Sequence, residues 1–105
     1  MNDLILVYIT NPSEQVAQKV GLHLLKKKLV ACVNIMPVKS LYWWEGDIAQ
    51  EDEVVLIAKT LNKNYRALEQ EVEKIHPYSV PCIVRVAIKA NKKYAEFVNN
   101  AVKQN

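Results

Sequence analysis

Half of the 105 residues are hydrophobic, 24% are charged and the formal net charge is +3, which excludes a disordered chain and describes one folded domain over residues 1–105. A domain this small removes only roughly two-thirds of its unfolded surface from water, so a sheet apolar on both faces is hard for the chain alone to cover. No apolar stretch approaches a membrane span, and Asp3 with no basic leader leads us to expect no signal peptide, so the expected partners include no membrane and the expected location is cytoplasmic. Cys32 and Cys82 stand far apart with no CxxC pair, as in a reducing compartment. The single basic run, Lys26 to Lys28, falls where a helix should end and reads as a solvated terminus rather than a nucleic-acid patch.

Leu4 to Thr10 is a short apolar run rich in branched residues and predicts the first strand. Asn11, Pro12, Ser13 and Glu14 follow. The spacing predicts a helix capped by Asn11, with Pro12 in the first turn and Glu14 completing a capping box. Val16, Ala17, Val20 and Leu24 mark its apolar face, which ends near Lys28. Val30 to Met36 predicts the second strand, interrupted by a bend or bulge at Pro37 and extended again from Ser40 to Trp44. Glu45, Gly46 and Asp47 make a turn, and Glu53 to Lys59 returns as the third strand of a long hairpin.

Asn62 is placed to cap a second helix, whose stripe is Tyr65, Leu68, Val72 and Ile75. His76, Pro77 and Tyr78 end it, because the residue before a proline disfavours helical geometry. Cys82 to Ile88 predicts the fourth strand, and Asn91 opens a C-terminal helix with Tyr94, Phe97, Val98 and Ala101 inward. The order βαββαβα predicts an α+β, ferredoxin-like βαββαβ sandwich, with an antiparallel sheet, helices on one face and an extended hairpin between the second and third strands.

In such a sandwich the free sheet face should be polar, giving strands that alternate. Leu4 to Ile9, Val54 to Ala58 and most of Cys82 to Ile88 are apolar at both parities instead. A second copy of the chain is the economical cover, so a homo-oligomer is expected. Tyr42, Trp43 and Trp44 on the hairpin fit the same interface, since aromatics are favoured at interface centres. Completion of the monomer core by these rings is the alternative, although neighbours on a strand point to opposite faces.

Only two glycines occur, so no phosphate loop and no organic cofactor is expected, and there is no GxSxG, HExxH or zinc-finger spacing. The third strand lacks the aromatics of an RNA-binding sheet, which excludes nucleic acid by that route. His76 and Cys82 flank one loop and form a candidate imidazole and thiol pair for copper or zinc. Cys82 also fits a small buried side chain, and His76 a helix end. Glu51, Asp52 and Glu53 read as a solvated bend before a strand, and His23 carries no assigned role.

The stretch SLYWWEG at Ser40 to Gly46, Glu51 and Glu53, Lys59 and Thr60, HPYxxP at His76 to Pro81, and ACVN at Ala31 to Asn34 together resemble the CutA divalent-cation-tolerance family over nearly the whole chain. The resemblance implies a PII-like homotrimer whose hairpins pack on neighbouring subunits. It implies tolerance of divalent cations and copper binding, no enzymatic reaction, and His76 beside a ligand cleft. Many relatives have a glutamate where this chain has Cys82, and some have a cysteine where it has Ile9; a thiol at Cys82 would favour Cu(I) if it faces the cleft. From another class, a PII-like signalling or scaffold trimer would bind a small anion or a protein partner in inter-subunit clefts lined by Tyr42, Trp44, Lys59, His76 and Tyr78. An acylphosphatase-type enzyme would need an anion-cradling loop with an arginine after the first strand, and Asn11 to Glu14 provides none.

Overall fold

The structure, a computed structural model, describes residues 3–103. Its elements are β1 (Leu4–Asn11), α1 (Glu14–Lys26), β2 (Cys32–Trp44), β3 (Asp47–Leu61), a 3-10 turn (Asn62–Asn64), α2 (Tyr65–Ile75), β4 (Ile83–Ile88) and α3 (Lys92–Ala101). The sheet order is β2-β3-β1-β4, and every neighbouring pair is antiparallel. This is the expected ferredoxin-like arrangement, with β1 and β3 in the centre.

Several local expectations change. Ser13, not Asn11, caps α1: its side chain accepts the Val16 N–H, while Asn11 is the fully buried last residue of β1. Pro37 makes no bulge. It lies opposite Val54 in an unbroken register from Cys32–Lys59 to Trp44–Asp47, which an edge strand tolerates because alternate N–H groups point away from its only neighbour. Asp47 belongs to β3, leaving a two-residue turn in which Glu45 (φ 51) and Gly46 (φ 83) are both left-handed, as a type I′ hairpin requires. Asn62 does not cap α2; its side-chain oxygen accepts from Arg85 at 3.2 Å.

The main core lies under α1 and α2. Ile5, Val7 and Ile9 of β1 and Leu56 and Ala58 of β3 meet Val20 and Leu24 of α1 and Leu68 and Val72 of α2. Helices do not keep to one face, however. Leu4 pairs with Leu61, one residue out of phase with the Ile5–Thr60 and Val7–Ala58 pairs, and both leucines pack with Ala95, Val98 and Val102 of the α3 region. The C-terminal helix therefore covers one end of the opposite face. Its inward stripe is displaced from the expected one, with Ala95, Val98 and Val102 buried and Phe97 exposed.

Beyond that end, the second face is open. Tyr8 lies beside Ile57 and Val84, and Leu6 beside Val86. Tyr8, Met36, Val84 (48% exposed) and Val86 (51%) are all uncovered. The hairpin extends about 44 Å over its thirteen-residue β2 strand and accounts for the 45 Å long axis of the molecule. Near its tip, Leu41, Trp43 and Ile48 are exposed.

Leu56, fully buried between sheet and helices, is expected to cost about 2–5 kcal/mol when changed to Ala. Glu45→Asn, which better tolerates the left-handed turn, should instead gain up to about 1 kcal/mol. Urea unfolding of the two variants checks both signs.

Candidate functional cleft

The loop after α2 is held by a histidine whose place follows from the proline beside it. Preceding Pro77, His76 takes an extended conformation (φ −77, ψ 138), ends the helix and turns its ring inward. Its Nε2 lies 2.9 Å from the Thr10 carbonyl oxygen and 3.2 Å from Asn11 Oδ1, so that nitrogen carries the proton and donates. Its Nδ1 accepts the Tyr78 N–H at 3.1 Å. Asn11 in turn donates to the carbonyls of Ile9 and Val54. The network pins the loop to the end of β1 and the middle of β3, and burial lowers the His76 pKa from 6.5 against the opposing pull of the Thr10 bond and the Glu53 charge.

On the open-face side of this latch lies a cleft of about 890 Å³ between the hairpin and the loop, with Thr10 at its inner end and Trp44 toward the tip. The register sets its lining. Ser40 opposes Glu51, Tyr42 opposes Ala49 and Trp44 opposes Asp47, so alternate residues of β2 and β3 face the same side. Tyr78 donates to Glu53 Oε2 at 2.6 Å, and the Tyr42 hydroxyl donates to Glu51 Oε1. The bond to Glu51, with lesser help from desolvation, pushes the Tyr42 pKa up to about 12; burial and then Glu53 raise that of Tyr78. Both phenols are therefore protonated donors near neutral pH.

Of the residues singled out from the sequence, Tyr42, Trp43, Trp44, Tyr78 and Cys82 meet in this cleft. Lys59 does not. It pairs with Cys32, about 40 Å along the hairpin from Trp44, and its ammonium lies 5.5 Å from the centre of the Tyr94 ring. His76 lies outside the lining, and both of its nitrogens are committed within the chain. The acids were the opposite case. Glu51, Asp52 and Glu53 lie within β3 rather than in a solvated bend, and Glu53 is only 7% exposed. The i, i+2 spacing of Glu51 and Glu53 on a strand was the available signal, since it puts both carboxylates on one face. Among the described residues, no three His, Cys, Asp or Glu side chains converge as a metal site.

Residues 5–101 match the family model described as CutA1 divalent ion tolerance protein. The chain belongs to the CutA1 divalent ion tolerance family. It is 39% identical over 97 residues to the divalent-cation tolerance protein CutA of Archaeoglobus fulgidus, covering 91% of this chain and 95% of that one. The corresponding protein of Thermotoga maritima is 40% identical over 96 residues, covering 91% and 93%. Among solved structures, the Archaeoglobus fulgidus protein, described as a periplasmic divalent cation tolerance protein, superposes with a TM-score of 0.94 at 38% identity over 95% of this chain and 99% of its own. CutA1 of Oryza sativa gives a TM-score of 0.94 at 36% identity, covering 99% and 97%. In this chain the cleft has an acidic, aromatic lining that includes Cys82.

Because burial lowers the His76 pKa below its unfolded value of 6.5, the neutral ring stabilises the fold fully above that pH and the contribution is lost as pH falls through the folded-state value. Glu71, bonded to His23 and Lys74 and held down to about 2, acts in a separate window below about 4.5. Melting temperature should therefore fall between pH 7.5 and 5, with a smaller fall in His76→Gln. An identical pH profile in that variant would remove His76 as the cause.

Proposed function

We propose that this CutA-family protein is a non-enzymatic homotrimer that binds copper or another divalent cation in metal-ion tolerance. The tolerance role is supported by the family description and by the names of the relatives. The assembly is supported by the open sheet face and its continuation into the hairpin aromatics Tyr42, Trp43 and Trp44, with Trp43 74% exposed. Full burial of a large apolar side chain contributes about 1.5–3 kcal/mol. Covering Tyr8, Met36, Val84 and Val86, each about half exposed, is then worth several kcal/mol per chain, on the scale of the cost of association. We place the protein in the cytoplasm on the strength of its free thiols at Cys32 and Cys82.

The metal part of the proposal rests on Cys82, which opens onto the cleft lined also by Glu51 and Glu53. A thiolate suits Cu(I), and the carboxylates suit harder ions. Further donors would come from across a subunit boundary. The alternative of a signalling or scaffold trimer retains its protein partner, but a small anion does not suit the cleft of one chain, because Lys59 and His76 are absent from its lining and two carboxylates are present.

Copper titration should show Cys82→Ser binding at least about tenfold more weakly than the parent, with His76→Gln unchanged. Equal affinity in Cys82→Ser would exclude that thiol as a ligand. For the assembly, Val84→Asp should shift the sedimenting species toward single chains and lower the melting temperature; an unchanged sedimentation profile would exclude that face as the interface.

A further inference from the structure

We propose that residues 77–81, between α2 and β4, form an acid-released flap: a proton taken up at His76 Nδ1 detaches them, with Tyr78, from β1 and β3 while the sheet and helices stay folded. Every contact of the device lies within one chain, and it does not depend on copper binding at Cys82. Pro77 and Pro81 have no N–H to donate, and among the described residues the segment 77–81 makes no backbone–backbone hydrogen bond. Its hydrogen bonds are the two that Tyr78 donates, from its N–H to His76 Nδ1 at 3.1 Å and from its hydroxyl to Glu53 Oε2 at 2.6 Å. The Tyr78 ring also stands edge-on to the imidazole, 4.8 Å between centres. Pro77, Ser79 and Val80 are exposed. A segment so lightly bonded belongs to the parts of a fold that open without global unfolding.

The imidazole is the pivot because its two nitrogens are used in opposite senses. Nε2 donates toward the Thr10 carbonyl and Asn11 Oδ1, which leaves the Nδ1 lone pair to accept the Tyr78 N–H. A proton moved from water onto that lone pair makes Nδ1 a donor facing a backbone donor that cannot turn away. The bond to Tyr78 is lost, and the cation is left in a place only 8% exposed. Few charges act on the ring. Glu53 of β3 favours its charged form, Thr10 and Asn11 of β1 are neutral, and Tyr78 is a phenol whose raised pKa keeps it uncharged. Burial outweighs Glu53 and the Thr10 bond, so the ring binds its proton more tightly once it has moved into water with the flap.

Hydrogen exchange of the Tyr78 amide, read by nuclear magnetic resonance on the intact protein at pH 7.5 and pH 5, tests the flap directly. Rates are expressed as protection relative to the free peptide, which removes the ordinary effect of pH on exchange. Protection of Tyr78 should fall by at least about threefold between the two pH values. The ceiling is about thirtyfold, set by the charging in water of a group of pKa 6.5 at pH 5. At both pH values Tyr78 should be at least about a hundredfold less protected than Val7 and Leu56 in the central strands, because it exchanges through the local opening. In His76→Asn, whose side-chain oxygen can accept the Tyr78 N–H without titrating, the pH dependence should disappear. Tyr78→Phe, a second variant should His76→Asn not fold, loses the bond to Glu53 and should lower protection at both pH values while the fall with pH persists. Protection of Tyr78 that does not change with pH, that equals that of Val7 and Leu56, or that keeps its full pH dependence in a folded His76→Asn protein would overturn the proposal.

Discussion

A sheet that is apolar on both faces, in a chain with helices enough for one face and a corner of the other, is the constraint on which the rest of this molecule depends. Ile5, Val7, Ile9, Leu56 and Ala58 are satisfied by α1 and α2 within the chain. The residues between them on the same strands, Tyr8 and Val84 among them, are not, and α3 reaches only the Leu4 and Leu61 end. Side-chain alternation makes the two sets inseparable: a strand that supplies one face to the core must present its other face somewhere. A polar second face would suit a self-sufficient monomer. An apolar one, in the proposed assembly, makes association part of the energetics of folding.

The same alternation builds the cleft. Glu51 and Glu53 share the face of β3 that carries Ile57, and Tyr42 and Trp44 share the matching face of β2, so the acids and rings continue the open surface as it leaves the body of the sheet. The loop after α2 then closes one side. It is fixed by the His76 bonds to Thr10 and Tyr78 and by the Tyr78 bond to Glu53. Among the described residues no buried side-chain polar atom lacks a partner, so the latch needs no outside group to complete it. His76 thus acts on the cleft by positioning Tyr78, and Cys82 is the thiol in the lining.

Element order, the hairpin, the helix stop at His76 and the doubly apolar strands were legible because each depends on local pattern or on proline geometry. Asn11 and Ser13 show where that legibility ends. Both are good caps in sequence, and only the extra residue of β1, paired with Val54, gives the cap to Ser13. The burial of Glu53 depends on Tyr78, twenty-five residues on, folding back over the strand. Lys59 is the converse case: the resemblance groups it with Tyr42 and Trp44 in a cleft between subunits, while within one chain strand geometry carries it far up the hairpin. Likewise, the second face of the sheet receives α3 because of how the C-terminal chain packs on Leu4 and Leu61, which helix periodicity alone does not specify.

The central claim is that the open sheet face is covered by other copies of the chain, and the molar mass in solution tests it most directly. Sedimentation equilibrium of the unmodified protein at micromolar concentration should give three times the 12.0 kDa of one chain, with little dissociation on dilution. A stable species of 12.0 kDa would contradict the account, because the apolar rows of β1, β3 and β4 would then have to be stable in water without a partner.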